Sequence, residues 1–321
     1  MKKILSLILC LFGMFLLVGC DANAEIYEVD AVKYVNYGSY PQTHVGDTAL
    51  IAKLNTLKKT NDRGYYEYEG NEYAKIVAKP YFYGKSHYQY SDGSQINKNI
   101  TEWFKVEPIV WRIISKNNDG SYMLCSEYIL DSIAYYDYDY VRKINEEDIY
   151  RNNYKYSNIR AWLNGYDGTS YNISDYTNKS FYDLAFKDRE KRAIIATEVD
   201  NSASTTNSTN NEFACENTLD KLYLLSYQDL NNSNYGFTDY TSRCAKVTDY
   251  AKAIGVFWKN GASDLNKGYF WLRSPCGYDG GAHYMYYDSR ANCVRYDGVV
   301  YGNDVDDSAR GVRAACTINL E

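Results

Sequence analysis

None of the short signatures that mark the common enzyme classes occurs in this sequence. It has no HExxH, no GxSxG, no glycine-rich phosphate loop and no dinucleotide fingerprint. Nothing therefore supports a zinc protease, a serine hydrolase, a P-loop nucleotidase or a Rossmann dehydrogenase. Histidine is scarce: His44, His87 and His283 are scattered and read as surface or loop residues. No two cysteines stand at CxxC spacing, which argues against a zinc ribbon or a thioredoxin-type redox pair. A basic block is also missing, and 41 acidic residues outnumber 35 lysines and arginines. Nucleic-acid binding draws on Lys and Arg to neutralise phosphates, so no nucleic-acid partner is expected. Proline occurs only four times and no shift of composition marks a linker, so residues 31–321 read as a single domain with a sizeable core. The acid pairs Glu146-Glu147 and Asp306-Asp307 read as solvated charges. Asp304, Asp306 and Asp307 offer the hard oxygens that calcium takes, yet a solvated loop accounts for them. The expectation is a protein that is not an enzyme, with no catalytic group, no bound metal and no cofactor.

What is present begins at the amino terminus. Lys2 and Lys3 precede an apolar run from Ile4 to Val18, broken only by Ser6, Cys10 and Gly13. The run has the length of a signal-peptide core and is short for a membrane-spanning helix. It ends in Leu17-Val18-Gly19-Cys20, which resembles the bacterial lipobox. Residues 1–19 are thus expected to be a removed signal peptide, Cys20 the lipid-bearing first residue, and residues 20–30 a polar tether. Each acyl methylene buried in a bilayer contributes about 0.8 kcal/mol, so the expected location is an exported, lipid-anchored position at the cell surface, on the outer membrane. Asp21 leaves open which membrane retains it. Loss of Lys2 and Lys3 leaves 33 bases against 41 acids, a net charge near −8. Six cysteines remain beyond Cys10 and Cys20; their fifteen possible pairings cannot be narrowed from spacing.

Tyrosine is abundant, at 37 residues against 10 phenylalanines. Its apolar ring and polar tip suit half-wet surfaces and binding faces. An AT-rich coding sequence explains a general excess, but not the cluster near the carboxyl end. Alternation and turn chemistry predict hairpins from Tyr65–Tyr68 to Tyr73–Val77 and from Ile109–Ser115 to Ser121–Cys125. Ser157 reads as the cap of a short helix ended by Gly165, with further short helices at Ser180–Lys187 and Thr248–Ile254. Strands are expected at Ala193–Val199 and Lys221–Tyr227. Short strands, few short helices and long loops give an α+β class.

The last fifty residues carry Tyr269-Phe270-Trp271-Leu272-Arg273-Ser274-Pro275, then Val294-Arg295-Tyr296-Asp297-Gly298, and finish Gly311-Val312-Arg313-Ala314-Ala315-Cys316. With Glu107-Pro108-Ile109-Val110-Trp111-Arg112 and Ser157-Asn158-Ile159-Arg160-Ala161-Trp162-Leu163-Asn164, this WLRSP…DG…GVR pattern resembles the variable proteins of diversity-generating retroelements, of the treponemal variable surface lipoprotein type, and related exported bacterial domains. The resemblance implies a C-type-lectin-like fold of the formylglycine-generating-enzyme subgroup. It also implies a diversified ligand-binding region, about 276–310, that takes a protein or glycan. The residues it places on that face are Tyr278, Asp279, His283, Tyr284, Tyr286, Asp288, Arg290, Asn292, Arg295, Tyr301, Asn303, Asp306, Asp307 and Arg310. Trp271, Leu272, Arg273, Val294, Gly298, Val305, Gly311, Val312 and Arg313 read as scaffold between them. A tyrosine-, Asp-, Asn- and Arg-rich face on turn glycines also has the composition of a paratope. The alternatives are a non-variable exported cell-envelope binding domain and, through the fold relationship, an oxidase using Cys276 and Cys293.

Overall fold

One long strand, Thr101–Lys116, is the spine of the fold. In the computed structural model, which describes residues 24–85, 87–137, 141–168, 174–206, 213–261, 265–276 and 287–320, three other strands divide its length between them. Asn71–Val77 pairs with its start, Val32–His44 with its middle and Tyr122–Ser126 with its end, all antiparallel. Its Phe104, Ile109, Trp111 and Ile114 are buried in the main core, while Trp103 packs in a separate cluster with Val45, Leu54 and Tyr73. The nine-stranded central sheet extends outward to Ile26–Val29 at one edge. On the other side the strand Ala314–Ile318 lies between Tyr122–Ser126 and the short strands Ile194–Ile195 and Leu222–Leu224.

A second, C-terminal sheet has five strands in the order Val300–Asp304, Arg290–Val294, Phe270–Pro275, Gly311–Val312, Asp131–Ser132. The two sheets are stitched by a pair of adjacent crossings. Tyr122–Ser126 and Ala314–Ile318 are neighbours in the central sheet, and their continuations Asp131–Ser132 and Gly311–Val312 are neighbours in the C-terminal one. Arg313 sits at the junction, fully buried. Its Nε donates to the Ser126 carbonyl at 2.6 Å, and its guanidinium lies over the rings of Phe237 and Phe270 at 5.7 and 5.5 Å. Glu127, 3.6 Å from Arg313 Nη2, also takes a bidentate pair from Arg112 at 3.0 and 3.1 Å. The two arginines of the sequence motifs therefore clamp the seam between the sheets.

The expected α+β, C-type-lectin-like class is overturned. The chain is β-rich, with 37% strand against 16% helix arranged in several antiparallel sheets. Among the described residues the longest helices, Thr48–Leu54 and Asn158–Asn164, have seven residues each, about two turns. Segments this short cap sheet corners and cannot form a helical layer. The local readings fare better. Ser157, Ser180 and Thr248 each accept a backbone N–H as helix caps, and Gly165 ends its helix at φ +81°. Both hairpins form, joining Tyr66–Tyr68 to Asn71–Val77 and Thr101–Lys116 to Tyr122–Ser126. Cys20 and the first 23 residues lie outside the described residues, and no helix among the latter is long and apolar enough to cross a membrane. Cys125, Cys215, Cys293 and Cys316 are free thiols. Cys125 stands opposite Ala315 while Cys316 stands opposite Leu124, so these neighbours point to opposite faces of the central sheet.

His44 is no loose surface residue. Its Nδ1 is 2.8 Å from Asp92 and its Nε2 is 3.0 Å from Glu102, and its ring stacks on Tyr90 at 4.0 Å. Burial disfavours the imidazolium, but the hydrogen bonds to Glu102 and Asp92 outweigh it and raise the pKa above 6.5. A raised histidine pKa stabilises the fold fully below the unfolded value, and the benefit is lost as pH rises through the folded one. The melting temperature is therefore expected to fall as pH climbs past 6.5. His44→Gln, compared across the same pH series by calorimetry, should remove that part of the slope; an unchanged slope would rule out the clamp.

Candidate functional site

The outer hairpin of the C-terminal sheet runs from Arg290–Val294 to Val300–Asp304 through the turn Arg295–Val299. Side chains alternate across it, so Tyr301 and Asn303 share one face. Tyr301 Oη donates to Asn303 Oδ1 at 3.2 Å, and Arg310 Nη2 donates to the same oxygen at 3.1 Å. Asn303 Nδ2 donates to Asp307 Oδ2 at 3.1 Å, which also pairs with Arg310 at 3.0 Å. Tyr301, Asn303, Asp307 and Arg310 thus form one closed constellation. Burial pushes the Tyr301 hydroxyl well above its usual value, so it stays a neutral donor at any physiological pH.

Rings continue from this constellation. Tyr301 meets Tyr269 at 5.8 Å, and Tyr269 meets Tyr296 at 5.7 Å and Phe257 at 4.7 Å. Phe257 in turn meets Tyr81 and Phe82 at 5.2 and 5.1 Å, and Phe82 stacks on Tyr88 at 4.3 Å. Tyr81 is 51% exposed and the others are half-buried. Arg310 lies over Tyr269 at 4.7 Å, and Lys259 over Tyr296 at 5.2 Å. Backbone hydrogen bonds hold the band rigid: Tyr269 N–H donates to Phe257 O, Phe257 N–H to Ala309 O, and Gly311 N–H to Tyr269 O. The result is a partly exposed aromatic band with embedded cations, running from the C-terminal sheet to the segment around residue 82.

The remaining face candidates are dispersed. Arg295, half-buried, pairs with Asp297 at 2.5 Å beside Tyr296 and joins the band's rim. Arg290 pairs with Asp304 at 3.0 Å on the opposite face of the hairpin, and Asp288 is held by Arg151 at 3.2 Å. Asp306 is exposed in the turn that follows the hairpin. Asn292 is a correction, for it is fully buried and its Nδ2 donates to the Pro275 carbonyl at 3.0 Å. Tyr278, Asp279, His283, Tyr284 and Tyr286 lie outside the described residues. Every residue read as scaffold, from Trp271 to Arg313, is buried. The members not anticipated as site residues are Tyr269, Tyr296, Phe257, Tyr81, Phe82 and Tyr88. The aromatic triplet Tyr81-Phe82-Tyr83 was the available signal, although only the fold brings it beside Phe257.

The two cysteines of the oxidase alternative do not face each other. Cys276 packs where a side chain on Gly302 would point, whereas Cys293 stands opposite Tyr301 on the other face. Burial raises the Cys293 thiol to about 12, leaving little thiolate for attack. Among the described residues no group of three or more metal-ligating side chains comes together.

The family model described as a domain of unknown function, DUF6273, matches residues 119–320, well over half of the sequence. The chain belongs to the DUF6273 family. No curated protein and no solved structure matches it. The DUF6273 match includes the whole C-terminal sheet, both crossings between the sheets, and the Tyr301–Arg310 constellation. Tyr81, Phe82 and Tyr88 precede it, so the aromatic band is built jointly by the DUF6273 region and the segment before it.

Proposed function

We propose that the protein is a non-catalytic recognition module, exported and lipid-anchored through Cys20, whose aromatic band binds a glycan or a protein surface. The observation that carries this reading is the constellation of Tyr301, Asn303, Asp307 and Arg310 beside the rings of Tyr269 and Tyr296 on a rigid sheet edge. Half-exposed aromatics on a fixed frame give contact area at low entropic cost, and the amide, carboxylate and guanidinium supply directional hydrogen bonds. Arg310 with Asp307 and Arg295 with Asp297 are each internally paired. Such a surface offers little net field and suits a neutral, hydrogen-bonding partner better than a polyanion.

The Asp307–Arg310 pair favours a fixed face over a diversified one, since replacing Asp307 leaves a largely enclosed guanidinium without its carboxylate. Asn292 could not vary without leaving the Pro275 carbonyl unpaired inside the protein. A template copy of this region differing at adenines, beside a reverse-transcriptase gene, would instead support diversification.

The test is a screen of soluble residues 25–321 against glycan and surface-protein arrays. Tyr301→Ala and Tyr296→Ala are then measured against any captured ligand, with Leu219→Ala, exposed on another sheet, as control. Each band variant should weaken binding about tenfold to a hundredfold, as hot-spot aromatics do, measured at a temperature where both remain folded. Ligand capture that both variants leave intact would place binding elsewhere.

A further inference from the structure

We propose that the buried pair Asp131–Tyr40 is a proton-operated latch that holds the Asp307–Arg310 loop more tightly as the surroundings acidify. The latch concerns the recognition surface proposed above and rests on that reading for its purpose, but its test needs no ligand.

The segment that carries Asp131 also carries the loop. Leu130 N–H donates to Val312 O at 3.0 Å, and Ile133 N–H donates to Arg310 O at 3.4 Å. Ser132 Oγ donates to the carbonyls of Ser308 and Arg310. The backbone on which Arg310 is mounted therefore hangs from residues 130–133. In the middle of that segment the Asp131 side chain turns into the core between the two sheets, fully enclosed.

Three tyrosines face the carboxyl group. Tyr40 comes from the central-sheet strand Val32–His44, Tyr250 from the helix Asp249–Ile254, and Tyr65 from the turn before Tyr66–Tyr68. Tyr40 Oη donates to Asp131 Oδ2 and its ring meets Tyr250 edge-on at 5.7 Å, while Ser132 N–H donates to Oδ1 at 2.6 Å. The cation behind Tyr65, Arg63, is engaged by Glu72. Among the described residues no cation pairs with Asp131.

A lone carboxylate in such a place is costly. Burial raises its pKa from 3.8 to about 6, against the smaller opposing pull of Tyr40 and Ser132. In the neutral state Asp131 O–H donates to Tyr40 Oη, tying the C-terminal sheet to the central sheet through one buried hydrogen bond. Ionisation reverses the first bond and leaves a negative charge with no counter-ion at the seam. For an acid with a raised folded pKa, the stabilisation is complete below 3.8 and is lost as pH rises through about 6.

Native-state hydrogen exchange on ligand-free protein, at about pH 5 and about pH 7 and corrected for intrinsic chemical exchange, reads the latch directly. The amides of Leu130, Ile133 and Gly311 should lose about tenfold protection at the higher pH. Asp131→Asn should abolish that difference. A difference of the same size in Asp131→Asn would assign it to other groups, His44 among them, and overturn the proposal. Tyr40→Phe provides a second reading should Asp131→Asn fold poorly. Loss of the hydrogen bond to the ionised form should move the midpoint to higher pH, and an unmoved midpoint also overturns the latch. Exchange that behaves as expected while the array screen finds no ligand would leave the latch standing and remove only the recognition reading.

Discussion

Arg313→Leu is expected to lower the free energy of unfolding by about 3–5 kcal/mol, the usual cost of removing one partner from a buried charge cluster. Leucine fills part of the same space, so the loss is mainly electrostatic. Glu127 would keep Arg112 but lose its second cation, and the Ser126 carbonyl would lose its 2.6 Å donor. Both crossings between the sheets pass this point, so the whole unfolding transition should shift, with no change confined to one region. Arg313→Lys keeps the charge without the planar fork that spans Ser126 and Glu127, and should fall between wild type and leucine. Urea denaturation followed by tryptophan fluorescence measures all three. A loss under about 1 kcal/mol for leucine would mean that the seam is held by packing alone.

Gly298→Ala should be nearly as damaging, for a local reason. Gly298 has φ +82° in the turn Arg295–Val299, and a Cβ there would lie 1.8 Å from the Tyr240 carbonyl oxygen. The left-handed conformation alone costs about 1–2 kcal/mol for alanine, and the collision with backbone oxygen forces the turn to move. Gly70→Ala is the matched control: φ is +74° but nothing lies within 4 Å, so only the conformational cost applies. A stability difference between the two variants isolates the contact with Tyr240. Because the turn precedes Val300–Asp304, Gly298→Ala should also displace Tyr301 and impair any binding through the aromatic band. Equal losses for the two glycines would show that the turn relaxes freely away from Tyr240.

The sequence was most legible where structure is decided locally. Ser157 and Gly165 bracket a helix because a side-chain acceptor and a residue free to take positive φ suffice to start and stop one. The hairpins around Glu69–Asn71 and Asn117–Gly120 form for the same reason. Pairing across distance was not legible. Nothing near Thr101–Lys116 announces that one strand will serve three partners, or that residues near 126 and 313 will cross between sheets side by side. The α+β expectation follows from that gap, for short helices are legible at their caps while the extent of the sheets depends on pairing across distance. Asn292 misled for another reason. The resemblance places it on the ligand face, but Cys276 and Pro275 cover that side of the strand. The site was legible in its polar half, Tyr301 to Arg310, where the candidates lie within ten residues. Its aromatic half depends on Tyr81 and Phe257, far apart in the chain, meeting in space.

The position of Ala314–Ile318 bears on how the protein is made. This strand is flanked on both sides within the central sheet, and its partners include residues 122–126, 194–195 and 222–224. The sheet cannot close until residue 318 has left the ribosome. At roughly 5–20 residues per second, earlier strands wait many seconds with unpaired edges.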